Sequence, residues 1–354
     1  FFGNPGSAFL FYGVDGVPNA DYAGTVPELT FALYQMMFAI ITPALISGAV
    51  AERMKFTSYL LFTVLWSTFV YFPLCHMVWG KGGLFNWYFD AAVPVLDFAG
   101  GTVVHISSGV SALVCALVLG KRRGWPDRPM IPHNLVLSLT GTGLLWFGWF
   151  GFNGGSALSA GEVATSAVAA THFAGAAGGL GWCLVEWSIQ KKPSALGVAS
   201  GMVAGLATIT PASGFVSVGS ALLIGFCGGC VCYVAVAKVK AKLQYDDSLD
   251  AFGVHGIGST TGMLLCGLLA SAQVNPSIAS TYRPGGGDVV SLEGSLGQMG
   301  NQAIGIVATA ALAVVMTFVI LKVVGLVTGG LRVDDEAEEQ GLDISQHGEE
   351  AYNS

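Results

Sequence analysis

Charge is what this sequence has least of. Only 10% of its 354 residues are Asp, Glu, Lys or Arg, against about a quarter in soluble globular domains. That shortage excludes an ordinary soluble domain, and no nucleic-acid partner is expected. Cysteine is sparse too, with seven residues, all in or beside apolar segments. Cys227, Cys230 and Cys232 imitate a metal spacing, but an apolar helix offers no loop to fold around an ion. They read as small buried hydrophobes. Neither an initiator Met nor a signal peptide opens the chain, which is expected to begin inside a longer protein.

Apolar residues make up 53% of the chain and glycine occupies 50 positions. Nine hydrophobic stretches are long enough to cross about 30 Å of hydrocarbon. They lie near 27–50, 57–79, 98–120, 133–153, 161–188, 194–212, 215–238, 251–272 and 300–326. Frequent glycine suits helices that pack closely in lipid. The fold class expected is an all-α polytopic membrane protein.

Loop charge sets the expected orientation. Lys and Arg fall in "AERMKF", "GKRRGWPDRP", "QKKPS" and "AKVKAKLQ", which are alternate loops. The positive-inside rule makes these cytoplasmic. Residues 1–26 then form an extracellular or periplasmic segment, 27–326 the transmembrane domain, and 327–354 a cytoplasmic acidic region of a multi-pass cell-membrane protein. Residues 332–354 carry eight acidic residues and one Arg, and "GLDISQHGEEAY" within them reads as a docking element.

Charged or ionisable groups inside a span are functional by default. "DFAGGTVVH" places Asp97 eight residues before His105, and "DAFGVHG" places Asp250 five before His255. Both stretches open a glycine-rich span, one running inward and the other outward. Related segments of opposite direction mark inverted-repeat transporters, whose sites lie near the midplane. At about 1.5 Å per residue the two imidazoles sit roughly 12 Å and 8 Å from opposite faces, so spacing leaves their contact undecided. The other histidines, at 76, 133, 172 and 347, read as structural, His172 in a helix–helix hydrogen bond.

Aromatic residues form a second group. Tyr34 and Phe38 lie one turn apart; Trp79 ends a span in "HMVWG"; and "WFGWFGFNGGS" carries Trp149, Phe152 and Ser156. Interfacial aromatics are commonly belt anchors. Rings and a hydroxyl at neighbouring ends also suit a small cation, since desolvated cation–π attraction reaches about 2 kcal/mol. The residues alone weigh the two equally.

"FALYQMMFAIITPALISGAVAERMKF", "DFAGGTVVH", "GWFGFNGGS", "DAFGVHG" and "GLDISQHGEEAYNS" together resemble the ammonium transporters of the Amt branch of the Amt/Rh family, bacterial in type, along essentially the whole chain. The resemblance implies an inverted-repeat helical bundle of eleven spans, assembled as a homotrimer. Nine of the eleven correspond to this chain, and the first two are expected to be missing. It assigns Phe38, Trp79 and Ser156 to cation recruitment, and Phe38 and Phe152 to stacked rings gating a pore. It makes His105 and His255 hydrogen-bonded twin histidines relaying a proton. Asp97 supports the outer recruitment site and the helix start rather than binding the cation, and Trp149 is a further supporting residue. It implies ammonium or ammonia as substrate, with methylammonium beside it, and a PII-type signalling protein at the cytoplasmic face. It calls for no enzyme activity, cofactor or metal. Electrogenic transport is the mechanism expected; an electroneutral ammonia channel and an ammonium sensor are the alternatives, and a haem protein with axial histidines a more distant one.

Overall fold

The computed structural model describes every residue except 1, 2, 5, 7, 90, 129, 351, 353 and 354. Among the described residues it is helical, with no strand beyond isolated bridges. Eight helices are long and apolar enough to cross a membrane. These are α1 Glu28–Val50, α2 Phe56–Trp79, α3 Gly101–Leu119, α4 Leu135–Ala157, α5 Glu162–Gln190, α7 Val218–Leu243, α8 Phe252–Leu269 and α9 Leu296–Val327. Between α5 and α7 lies α6, Ala195–Ile209, of only 15 residues. Its apolar stretch runs on as buried turns through Phe215, so the sixth span expected is mostly helix, with its last residues in a folded loop.

Local chemistry starts these helices. Side chains of Asn134, Ser194, Ser217 and Ser295 accept the backbone N–H three residues on, at the heads of α4, α6, α7 and α9. Each satisfies a donor that the helix itself leaves open. Packing then follows small residues: a Cβ on Gly229 of α7 would fall 2.1 Å from the Gly178 carbonyl of α5, so those backbones touch directly. Trp66 of α2 is fully buried, and its indole N–H donates to Ser111 of α3 and Thr317 of α9. The outer surface of α4 is almost wholly exposed apolar side chain, the pattern of a lipid-facing helix.

Basic loops meet at one end. Arg122 pairs with Asp246 at 2.9 Å and Glu52 at 2.6 Å. Arg53, fully buried, donates to the Asp246 carbonyl and the Ser248 hydroxyl. The acidic terminal segment docks there too: α10, Asp335–Gln340, lies against Arg123, while Arg332 holds Glu338 at 2.6 Å. His347 stacks edge-on to Phe56 at 4.7 Å, and His133 faces Tyr352 at 5.2 Å. We call this the tail end and the opposite one the mouth end. His172 lies exposed, touching the rings of Trp146 and Phe150. No helix–helix hydrogen bond holds it, because its position on α5 faces outward.

Candidate functional site

At the mouth end, Phe38 of α1, Trp79 of α2, Ser156 of α4 and Asp97 line one cavity of about 430 Å³. Residues 20–25 and 86–89 form its rim. Phe38 is 2% exposed and meets Trp79 edge-on at 5.8 Å. Beneath lies Phe152, 4.6 Å from Phe38 between centroids. The rings are tilted by 46° rather than stacked.

Next along the same line are the two imidazoles. His105 lies 5.8 Å from Phe152 and 5.5 Å from Trp149, near-parallel to both. His255 follows at 5.0 Å, its plane within 11° of His105. The pair is buried, at 1% and 8% exposure. The hydrogen bond expected between them is not formed: both His105 nitrogens and His255 Nδ1 are without a partner. Each ring is set by its own backbone, in a π-helical turn at Gly101–Ile106 and at Phe252–Gly256. Phe152 also sits in such a turn, Phe150–Gly154. Turns of this kind recur at functional sites, where they re-aim a side chain. Backbone contact brings α3 and α8 together, since a Cβ on Gly109 would lie 2.3 Å from the Gly256 nitrogen.

Asp97 is 1% exposed, and its carboxylate faces the start of α3. It accepts the N–H groups of Gly100, Gly101 and Thr102 at 2.8, 2.6 and 2.7 Å, and the Thr102 hydroxyl. Anionic capping of a helix N-terminus is favourable on charge and hydrogen bonding alike. Its carbonyl takes the Trp79 indole N–H at 2.9 Å. Gln302 of α9 clamps the neighbouring Leu96 through both backbone groups. Trp149 is fixed by a 2.9 Å bond to the Thr210 hydroxyl.

The carboxylate expected to mirror Asp97 does not do so. Asp250 pairs with Lys240 at 2.7 Å in a left-handed backbone conformation, φ 60°. Asp247 holds the equivalent place. It stands eight residues before His255, as Asp97 does before His105, is fully buried, and accepts the Phe252 N–H at 2.8 Å at the head of α8. Equal spacing was the signal in the sequence; the more prominent "DAFGVHG" concealed it. Gln35 was missed as well. It lines the mouth, and its side-chain oxygen is buried without a partner, as suits a donor-only cation.

The Ammonium Transporter Family model matches residues 1–352. An ammonium transporter of Bacillus subtilis (strain 168) is 48% identical over 337 residues, covering 95% of this chain and 79% of that protein. Ammonium transporter Amt1 of Archaeoglobus fulgidus is 46% identical, covering 92% and 78%. Among solved structures, Saccharomyces cerevisiae Mep2 superposes with a TM-score of 0.79 at 37% identity, over 92% of this chain and 72% of that one. A protein described as a sensor Amt protein superposes at 0.81 with 29% identity, over 95% and 80%.

Proposed function

This chain belongs to the ammonium transporter family, and we propose that it moves ammonium across the membrane by separating the proton from ammonia. The mouth end faces outward in this reading, and the tail end faces the cytoplasm. Phe38, Trp79 and Ser156 recruit the cation. The tilted Phe38–Phe152 pair closes the way below, and His105 and His255 take up and relay the proton while ammonia passes beside them.

Magnitudes decide between carrying the ion whole and splitting it. Moving a bare ion of this size into a low-dielectric interior costs on the order of 20 kcal/mol. A cation–π cage returns about 2 kcal/mol. Recruitment therefore concentrates ammonium at the mouth without carrying it through. Imidazole, with an unperturbed pKa of about 6.5, exchanges protons at neutral pH. The observation that supports this reading is the pair of buried imidazoles, with both His105 nitrogens and His255 Nδ1 unpartnered, next to Phe152 and the aromatic-lined mouth.

Liposomes containing the protein test it, with current recorded after an ammonium jump. A saturating current that His105→Ala abolishes, or strips of selectivity against potassium, is the expected outcome. Undiminished, selective current in that variant sinks the relay. A second reading draws on the missing bond between the imidazoles: neutral ammonia crosses with no net charge. Lumenal alkalinisation without current would select it. Three copies assemble in the same reading, and the docked acidic segment supports a meeting place for a PII-type signalling protein.

A further inference from the structure

We propose that the hydroxyl of Tyr34 is the pin that fixes the gap between the Phe38 and Phe152 rings and seats Ser156 at the mouth, so that Tyr34 positions the residues ammonium must pass. This rests on the transport reading above. Tyr34 and Phe38 share one face of α1 a single turn apart, with ring centroids 5.0 Å apart. Across the gap the Tyr34 hydroxyl donates to the Phe152 carbonyl at 2.6 Å, with the Gly151 carbonyl at 3.1 Å. The same oxygen lies 3.0 Å from the Ser156 Oγ. One side chain on α1 thus grips the π turn that carries one gating ring, and its own helix carries the other.

Three features make this a built contact. The turn at Phe150–Gly154 departs from the regular α-helical ladder, and the Phe152 carbonyl there takes two side-chain donors, Tyr34 and the Ser156 hydroxyl at 2.8 Å. Gly155 leaves room for the tyrosine: a Cβ there would meet the ring at 2.9 Å and the hydroxyl at 3.0 Å. The Ser156 proton is also turned inward onto protein. A lone pair of Ser156 therefore remains for a donor-only cation such as ammonium. Among the described residues, no other side-chain hydrogen bond ties α1 to the Phe150–Gly154 turn, so without the tyrosine oxygen the two rings are held by apolar contact.

Tyr34→Phe keeps the ring and removes the pin; Gly155→Ala keeps the hydroxyl and evicts it from its seat. Both variants, and the unaltered protein, would be imaged by electron cryomicroscopy and assayed for uptake of ammonium and methylammonium. The expected result is a ring separation wider than the present 4.6 Å, with KM for ammonium raised up to about tenfold, the size of one lost hydrogen bond. kcat should change much less, and methylammonium uptake should rise relative to ammonium. In a Ser156→Ala background, Tyr34→Phe should add little to KM, because the two hydroxyls act as one unit. Unmoved rings in Tyr34→Phe overturn the proposal whatever transport shows, and so do parted rings with unchanged KM. Widened rings in a protein whose unaltered form takes up no ammonium would uphold the pin and refute the transport reading instead.

Discussion

Asp97 and Asp247 stand at mirrored places, each buried at the head of a helix eight residues before a buried histidine, yet their carboxylates are not equally satisfied. Asp97 receives three close N–H groups and a hydroxyl, whereas Asp247 Oδ1 has no partner. The mouth-end carboxylate has donors on both of its oxygens. The tail-end one is poised to hold a proton.

Burial first, and the charge of Asp250 second, push the Asp247 carboxyl up to about 6. A folded-state pKa above the unfolded value of about 3.9 contributes stability in full below that unfolded value. The contribution is lost as pH rises through about 6, so at neutral pH the ionised group opposes folding by at most about 3 kcal/mol. Asp247→Asn keeps the cap oxygen and should raise Tm at pH 7.5, with the gain about halved near pH 5 and gone once the pH is below the unfolded value of about 3.9. A gain independent of pH would contradict this account.

Asp246, its neighbour, goes the other way. Burial raises its carboxyl, but the hydrogen bonds and charge of Arg122 outweigh that and hold it below the usual range. Its contribution is present above the unfolded value and is lost as pH falls through the lower folded one. Arg122→Gln removes the paired guanidinium from this buried carboxylate, leaving the residue-122 backbone N–H and the charge of Arg53, and should cost up to about 3–5 kcal/mol. The loss in Tm should shrink as pH falls below 4.

Removing the Asp97 side chain strands three buried N–H groups, each worth about 1–3 kcal/mol. Asp97→Ala is expected to lower Tm steeply or to prevent accumulation of folded protein, with Asp97→Asn in between. A variant that folds normally and only loses ammonium affinity would make Asp97 a ligand rather than a cap.

Gly109→Ala leaves both histidines in place but drives a methyl into the Gly256 backbone. Overpacking of this kind costs about 1–3 kcal/mol, and relief must separate α3 from α8. Transport should fall together with Tm while ammonium still binds at the mouth. Full activity would show that the spacing of the two imidazoles is immaterial.

The terminal segment is held by partly exposed pairs of Arg123 with Asp335 and Glu339, each worth about 0–1 kcal/mol. Arg123→Glu should leave Tm nearly unchanged and make the segment after Asp334 cut faster by protease, less so at high salt, which screens these charges. Unaltered cleavage would move the anchor to Arg332 and Glu338.

Membrane class and the nine apolar segments were legible along the chain, because hydropathy is set by residues close together in it. The aromatic residues and Ser156 stood out too, but the residues alone weighed belt anchors and a cation site equally, and only the family resemblance grouped Phe38, Trp79 and Ser156. Depth counting left the histidines about 10 Å apart; the structure places their centroids at 5.0 Å. That difference comes from π turns and a glycine contact that no hydropathy pattern records.

What the sequence by itself determined is that this chain lies in a bilayer as a bundle of helices, with ionisable groups inside it. Only the tertiary structure decided that Asp247 rather than Asp250 mirrors Asp97, that the imidazoles lie parallel without a bond, and that Tyr34 reaches the gate turn 118 residues away. The reason is one of range. Burial preference and caps are local free energies written residue by residue, whereas a pore is made where distant backbones meet, and glycine allows that meeting without naming the partner.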